Sequence, residues 1–425
     1  MSTRATSPSV LPVQPRPADL EKATTERLIW LVGLSHATNH FVMLIFPAVL
    51  LLVQAEFGLG YAGLGMLASA SFLCYGLLAL PAGILADRLG GERVLAVWLL
   101  GGSLACCAIG LATGPWTLGA GLGVLGLFAS LHHPAGSGIL VGLRQRLGAD
   151  VARAFGRSGI LGNLGLAGSP ILTAAIGARW GWRAAFFVGA VPGIVLFLPL
   201  WRQALLTPME RHAPGDRTSQ RTGPRGTAFT VPLVLLFGLE TLMGFVFQGF
   251  STFLPAHLAG HAGFAALTAA QVRRGGAFAS IALLFGGLGH LTAGRLMRYR
   301  HREALFLVTV TTSTCCLVGM GTVGGASLVL CSVLFSFAYF ALGTISNTFM
   351  ALHTPPRLGG TVFGITFSLA FGFGSLASST MGILAERFGL AAVFLALGLV
   401  SVGGVALVTW FGAVTTGWRG QRPTD

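Results

Sequence analysis

Charge is what this chain has least of. Asp, Glu, Lys and Arg make up only 9% of its 425 residues, against about 25% in an ordinary soluble domain, and so little polar surface cannot keep a chain of this size in water. A soluble globular protein is excluded. Cysteine is scarce as well, with six residues that form two adjacent pairs, Cys106–Cys107 and Cys315–Cys316, plus Cys74 and Cys331 in apolar runs. None has the spacing of a metal knuckle, so all six are read as small packing residues. The first 27 residues lack the apolar core of a cleaved signal and are rich in Pro, Ser and Thr. They are read as a disordered cytoplasmic tail.

What is abundant is apolar sequence: 53% of residues are hydrophobic and the mean hydropathy is +0.77. A helix needs about 20 apolar residues to cross a bilayer, and twelve such spans are predicted, at 28–54, 61–86, 94–113, 115–143, 157–178, 183–202, 229–257, 272–294, 303–321, 326–352, 358–385 and 389–412. The polar stretch 203–228 divides six spans from six. The expected organisation is a tail (1–27), an N-terminal half (28–202), a middle loop (203–228), a C-terminal half (229–412) and a second tail (413–425).

Lys and Arg mark the cytoplasmic side of a membrane protein. With the N-terminus inside, all but five of the 27 fall on inner segments; the five are Arg179, Arg183, Arg273, Arg274 and Arg387. Both termini and the middle loop are therefore expected in the cytoplasm. The net charge of +14 follows from this asymmetry and the anionic inner leaflet. No nucleic-acid partner is expected, because the basic residues are scattered over short loops.

The halves repeat at a shift of 208. Phe46-Pro47 falls on Leu254-Pro255, Phe155-Gly156 on Phe363-Gly364, and Arg179-Trp180-Gly181 on Arg387-Phe388-Gly389. Paired halves around a midplane site are an architecture of secondary transporters.

The loop GILADRLGGERV (83–94) resembles the signature loop of the major facilitator superfamily, G-x-L-x-D-R-x-G-x-R. The resemblance implies an all-α integral membrane fold of twelve helices in two six-helix halves, with Gly83, Asp87, Arg88 and Arg93 forming a conformational latch against the eleventh helix. The second-half counterpart GHLTAGRLMRYRHR (289–302) has Gly294 in place of the acid, and GILAERFG (382–389) ends an odd-numbered span on the outer side. Over nearly the whole chain, SHATNH (35–40), QAEFGL (54–59), HHPAGSG (132–138), GNLGLAGSPILTAAI (162–176) and FGITFSLAFGFGSLASSTMGILAERF (363–388) are similar to the fosmidomycin-resistance branch. That similarity implies a proton-driven antiporter for efflux, linked to drug resistance. His40 stands where the branch can carry Asp, and Ala135 where it can carry Glu.

Polar side chains inside hydrocarbon are costly and face protein or a wet cavity. His36 and His40 share one helix face, with Asn39 close by. By the resemblance, spans one, four, seven and ten line the cavity, so His132, His133, Glu240, Gln248, Tyr339 and Asn347 join the candidate substrate and proton pathway. Of the adjacent pair His132-His133, one at most can face the cavity. Among the thirteen acids only Glu240 falls near the middle of a span. Burial brings carboxylates toward neutral titration, and imidazole titrates there unaided. Gly162, Gly165, Gly168 and Gly372 are expected at close helix contacts.

The expectation is a monomeric, multi-pass cell-membrane transporter (the inner membrane in a bacterium) that exports a small molecule in exchange for protons. It uses no cofactor and no resident metal, and it is not an enzyme. The alternative is a transition-metal carrier using the four intramembrane histidines; a non-transporting receptor or membrane enzyme is the remaining class.

Overall fold

The computed structural model describes residues 17–143, 151–206, 230–260, 268–297, 302–354 and 359–419. These form twelve helices long and apolar enough to cross a membrane. The first, α1, runs Pro17–Met43 and resumes as Ile45–Phe57; α2 is Tyr61–Leu89, α3 Gly91–Gly110, and α4 is split into Pro115–Ala129 and His132–Gly142. Then follow α5 (Val151–Trp180), α6 (Trp182–Leu206), α7 (Val231–Leu258), α8 (Ala269–Leu296), α9 (Arg302–Thr322) and α10 (Gly325–His353). In α11, Gly359–Phe367 and Ser375–Phe388 flank a π-helical segment, Ser368–Phe373, and α12 is Leu390–Arg419. Large side chains such as Leu77, Val195 and Leu399 are exposed, which suits lipid rather than water.

Helix α1 begins at Pro17, inside the segment read as a disordered tail. The reason is local: DLEKATTER has good helix formers, and Glu26 is held to Arg157 of α5 by an ion pair of 2.6 Å. Most of the expected middle loop, 207–229, lies outside the described residues.

The repeat is visible in the packing. Gly165 presses so closely on Ala37 that a Cβ there would collide with its carbonyl oxygen; the positions 208 further on, Phe373 and Phe245, also touch, with ring centroids 6.0 Å apart. Gly162 meets His36, and the corresponding Ala370 meets Gly244. Gly181 and Gly389, the same position in each half, both turn with positive φ, 85° and 82°. That backbone region suits glycine.

The halves meet along two seams. In the first, α2 packs on α11: Ser69 Oγ donates to the Ser375 carbonyl at 2.5 Å, the Ala62 N–H donates to Glu386 Oε2 at 2.9 Å, and a Cβ at Gly65 or Gly76 would collide with the backbone of Ser378 or Gly372. In the second, α5 packs on α8: the Ile171 N–H donates to Ser280 Oγ at 2.8 Å, and Gly276 sits against Pro170 and Ala174. The contacts of Ala62, Gly65, Ser69, Ile171 and Gly276 lie toward the α1–α2, α5–α6 and α7–α8 turns, on the side away from the termini, while Gly76 and Gly372 meet near the middle of their helices.

Candidate functional site

The helix break in α4 builds the centre. Pro134 has no N–H for the preceding turn, and α4 is interrupted at Ser130–Leu131. A carbonyl beside the break, that of Ala129, accepts from Asn39 Nδ2 at 2.9 Å. Asn39 is thus buried as a tie between α1 and α4.

Four imidazoles meet next to this break. His36 has ring centroids 4.8 Å from His40, 5.0 Å from His132 and 5.0 Å from His133. The adjacent pair divides. His132 is buried with Nδ1 3.1 Å from Ser35 Oγ, whereas His133 stacks on Phe367 of α11 at 5.4 Å and therefore lies on the seam between halves. Gly162 leaves room for His36, since a Cβ there would be 2.6 Å from its Cε1.

The hydrogen bonds define the tautomers of two rings. His36 Nδ1 faces the Ser158 carbonyl at 2.9 Å, which only accepts, so Nδ1 carries a proton and the neutral ring has its lone pair on Nε2. His40 Nε2 lies 3.0 Å from that lone pair and must donate. His40 is left with its own lone pair on Nδ1.

The C-terminal half contributes a second polar group. The Glu240 carboxyl is half-buried, next to the Ser346 hydroxyl and within electrostatic reach of Tyr339. Tyr339 donates to the Met243 carbonyl at 3.3 Å and stacks on Phe247 at 5.0 Å. Gln248 is buried, and among the described residues its Oε1 has no donor; it occupies the position 208 beyond His40. Asn347 is exposed.

Three participants were missed by sequence reasoning. His290 of α8 bonds Thr344 through Nδ1 at 2.7 Å and is close enough to His40 for their charges to interact. It sat near the end of a span and inside the supposed second latch, which hid it. Tyr75 lies 6.3 Å from His133 and 4.6 Å from Phe371, centroid to centroid. Asn163 lies against Gly287 across the second seam; helical spacing from Gly162 could have suggested it.

Of the latch residues, Gly83 meets Pro134 of α4, Asp87 is exposed at the end of α2, and Arg93 Nη1 donates to the Leu89 carbonyl at 3.1 Å. The stretch 355–358, at the end of α11 where the latch partner is expected, lies outside the described residues. Gly168 has nothing within 4 Å of a built Cβ, so it is not at a close contact, whereas Gly162 and Gly165 press on His36 and Ala37 of α1. A Cβ on Gly372 would likewise meet nothing, because only the backbone of Gly372 is pressed by Gly76.

Twelve membrane-length helices in two related halves, joined along two seams with polar groups between them, define a small-molecule transporter rather than an enzyme. The chain belongs to the Major Facilitator Superfamily, whose family model matches residues 29–379. It is 24% identical over 377 residues to the cis,cis-muconate transport protein of Acinetobacter baylyi, covering 81% of this chain and 84% of that one. It is also 24% identical over 385 residues to a gallate transporter of Pseudomonas putida, covering 82% and 83%. In fold it is similar to a bacterial homologue of the human lysosomal transporter Spinster in an inward-facing, occupied conformation. The TM-score is 0.75 and the identity 15%, over 91% of this chain and 97% of that one.

Proposed function

We propose that the protein moves a small organic compound across the cell membrane by alternating access, exchanging it for protons. The observation that carries this reading is the imidazole group on α1 and α4, which meets the opposite half at Phe367. A proton added to Nδ1 of His40 lets its Nε2 proton pass to Nε2 of His36, and the resulting imidazolium is held by the Ser158 carbonyl. Glu240, the acid nearest the middle of a span, supplies a second proton-carrying group in the other half. The charge distribution supports termini in the cytoplasm, which makes the side of the α1–α2 and α5–α6 turns the outer one.

The muconate and gallate relatives carry small organic acids by name, which makes organic acids the first compounds to try. The fosmidomycin-resistance resemblance supports export and puts drugs in the same panel. Flux into proteoliposomes under an imposed pH gradient tests the proposal. Glu240→Gln is expected to abolish gradient-driven accumulation and keep substrate exchange, because exchange needs only reorientation of the loaded carrier. A Glu240→Gln protein that still concentrates substrate removes Glu240 from the mechanism. His40→Ala is expected to shift the pH dependence of flux; lost affinity at every pH would instead make His40 a substrate contact.

A further inference from the structure

We propose that His36, His132 and His133 form a binding site for a divalent transition-metal ion, three imidazole nitrogens with a fourth position left for water or an anionic ligand. One ring nitrogen from each lies within 4.8 Å of the other two, the only such group of three among the described residues. Three nitrogen ligands with an open position are the arrangement of non-structural zinc sites. Imidazole selects zinc, cobalt, nickel or copper over magnesium and calcium, which take oxygen.

The surroundings are those of a ligand set. A metal-binding imidazole is oriented by a hydrogen bond at its other nitrogen, commonly to a backbone carbonyl. His36 has that bond to Ser158, 2.9 Å at Nδ1, and His132 has Nδ1 at 3.1 Å from the Ser35 hydroxyl. Both rings therefore keep Nε2 for an ion. The nitrogens have to close by about 1.4 Å at most to reach the separations of a tetrahedral site with bonds of about 2.0–2.1 Å, which side-chain rotation supplies. His40 now donates to His36 Nε2 and has to release it, so an ion and that bond are mutually exclusive.

All three ligands belong to α1 and α4 of one half, so rocking of the halves leaves the set together. His133 differs from the others because Phe367 of the opposite half covers its ring. Occupancy of the site is consequently linked to the seam. The site shares His36 with the proposed proton relay, so a bound ion blocks that transfer; the two readings are told apart because ion binding is measured at equilibrium, without a gradient or a substrate.

The experiment is Co²⁺ binding to the purified full chain carrying no polyhistidine tag, followed by visible absorption and X-ray absorption. The wild-type protein is expected to bind one Co²⁺ with intense bands of low coordination number and three imidazole nitrogens in its shell, a result that needs no variant to fold. His36→Gln and His133→Gln are each expected to weaken binding by about 100-fold or more, and Ser35→Ala by about 10- to 100-fold through loss of ring orientation. His257→Gln, altering a ring that bonds the Met320 carbonyl far from the group, should bind as wild type does. A wild-type shell of six oxygens, or an affinity unchanged in both His36→Gln and His133→Gln, overturns the proposal.

Discussion

Replacing Gly162 by Ala perturbs the imidazole group without altering a histidine. The added Cβ would lie 2.6 Å from Cε1 and 2.7 Å from Nδ1 of His36, so the ring has to retreat by about 0.9 Å to reach carbon contact at about 3.5 Å. Its bonds to the Ser158 carbonyl, 2.9 Å, and to His40, 3.0 Å, then stretch beyond hydrogen-bonding range. Two bonds at about 1 kcal/mol each, with overpacking of about 1–3 kcal/mol, give an expected loss of about 3–5 kcal/mol. The control is Gly168→Ala, six residues along the same helix, where a Cβ meets nothing and the gain in helix propensity is up to about 1 kcal/mol. Opposite signs are therefore expected from one substitution at two neighbouring glycines. Thermal unfolding in detergent reads the stability difference, and the pH profile of flux reads the ring displacement. A Gly162→Ala protein as stable as wild type, with an unshifted profile, would refute the role given to His36 and its partners.

Three further outcomes are expected. Gly76→Ala would drive a Cβ into the backbone of Gly372 and hold the first seam apart, so spin labels at the outer ends of α2 and α11 should report a longer distance; an unchanged distance argues against that contact. Glu386→Gln keeps an acceptor for the Ala62 N–H and removes the negative charge from the start of α2. Helix-dipole terms of about 0.3–1 kcal/mol then predict an outward shift of about two- to fivefold in the same spin-label populations, smaller at high salt. Asp87→Asn is expected to slow turnover with substrate affinity largely retained, since the α2 end lies at the membrane rim; transport at the wild-type rate would dismiss the latch.

How much of this was legible in the sequence depended on the kind of signal. The spans were readable because hydrocarbon demands long apolar runs, and each observed helix overlaps its predicted range to within a few residues at most ends. His36 and His40 were readable as a pair because four residues make about one helical turn. That His132 and His133 would join them was implied by the resemblance, since nothing in the spacing brings α4 to α1. Gly162 was readable as a close helix contact but not as the one that makes room for His36, and the partners Ser35 and Ser158 were not readable: these roles depend on how closely α1, α4 and α5 approach, which is a tertiary quantity. Gly168 shows the same gap from the other side. A glycine in a run of glycines carries no mark of which face it occupies until its neighbour is known.

The π-helical segment of α11 has a consequence for motion. Its counterpart positions in α5 lie within one continuous α-helix, Val151–Trp180, yet landmarks on either side of the segment, Phe363-Gly364 and Gly389, keep the same 208-residue offset from Phe155-Gly156 and Gly181. No residue has been inserted. With i→i+5 bonding in place of i→i+4, α11 makes fewer turns than α5 over the same length of chain, so its two ends are rotated relative to each other in a way the ends of α5 are not. One seam thus contains an underwound helix and the other a continuous α-helix with Pro170 inside it. A change of winding in that segment would turn the Ser375–Phe388 end of α11, which carries the Ser69 and Ala62 contacts of the first seam, about the helix axis; α5 has no such segment at the second seam.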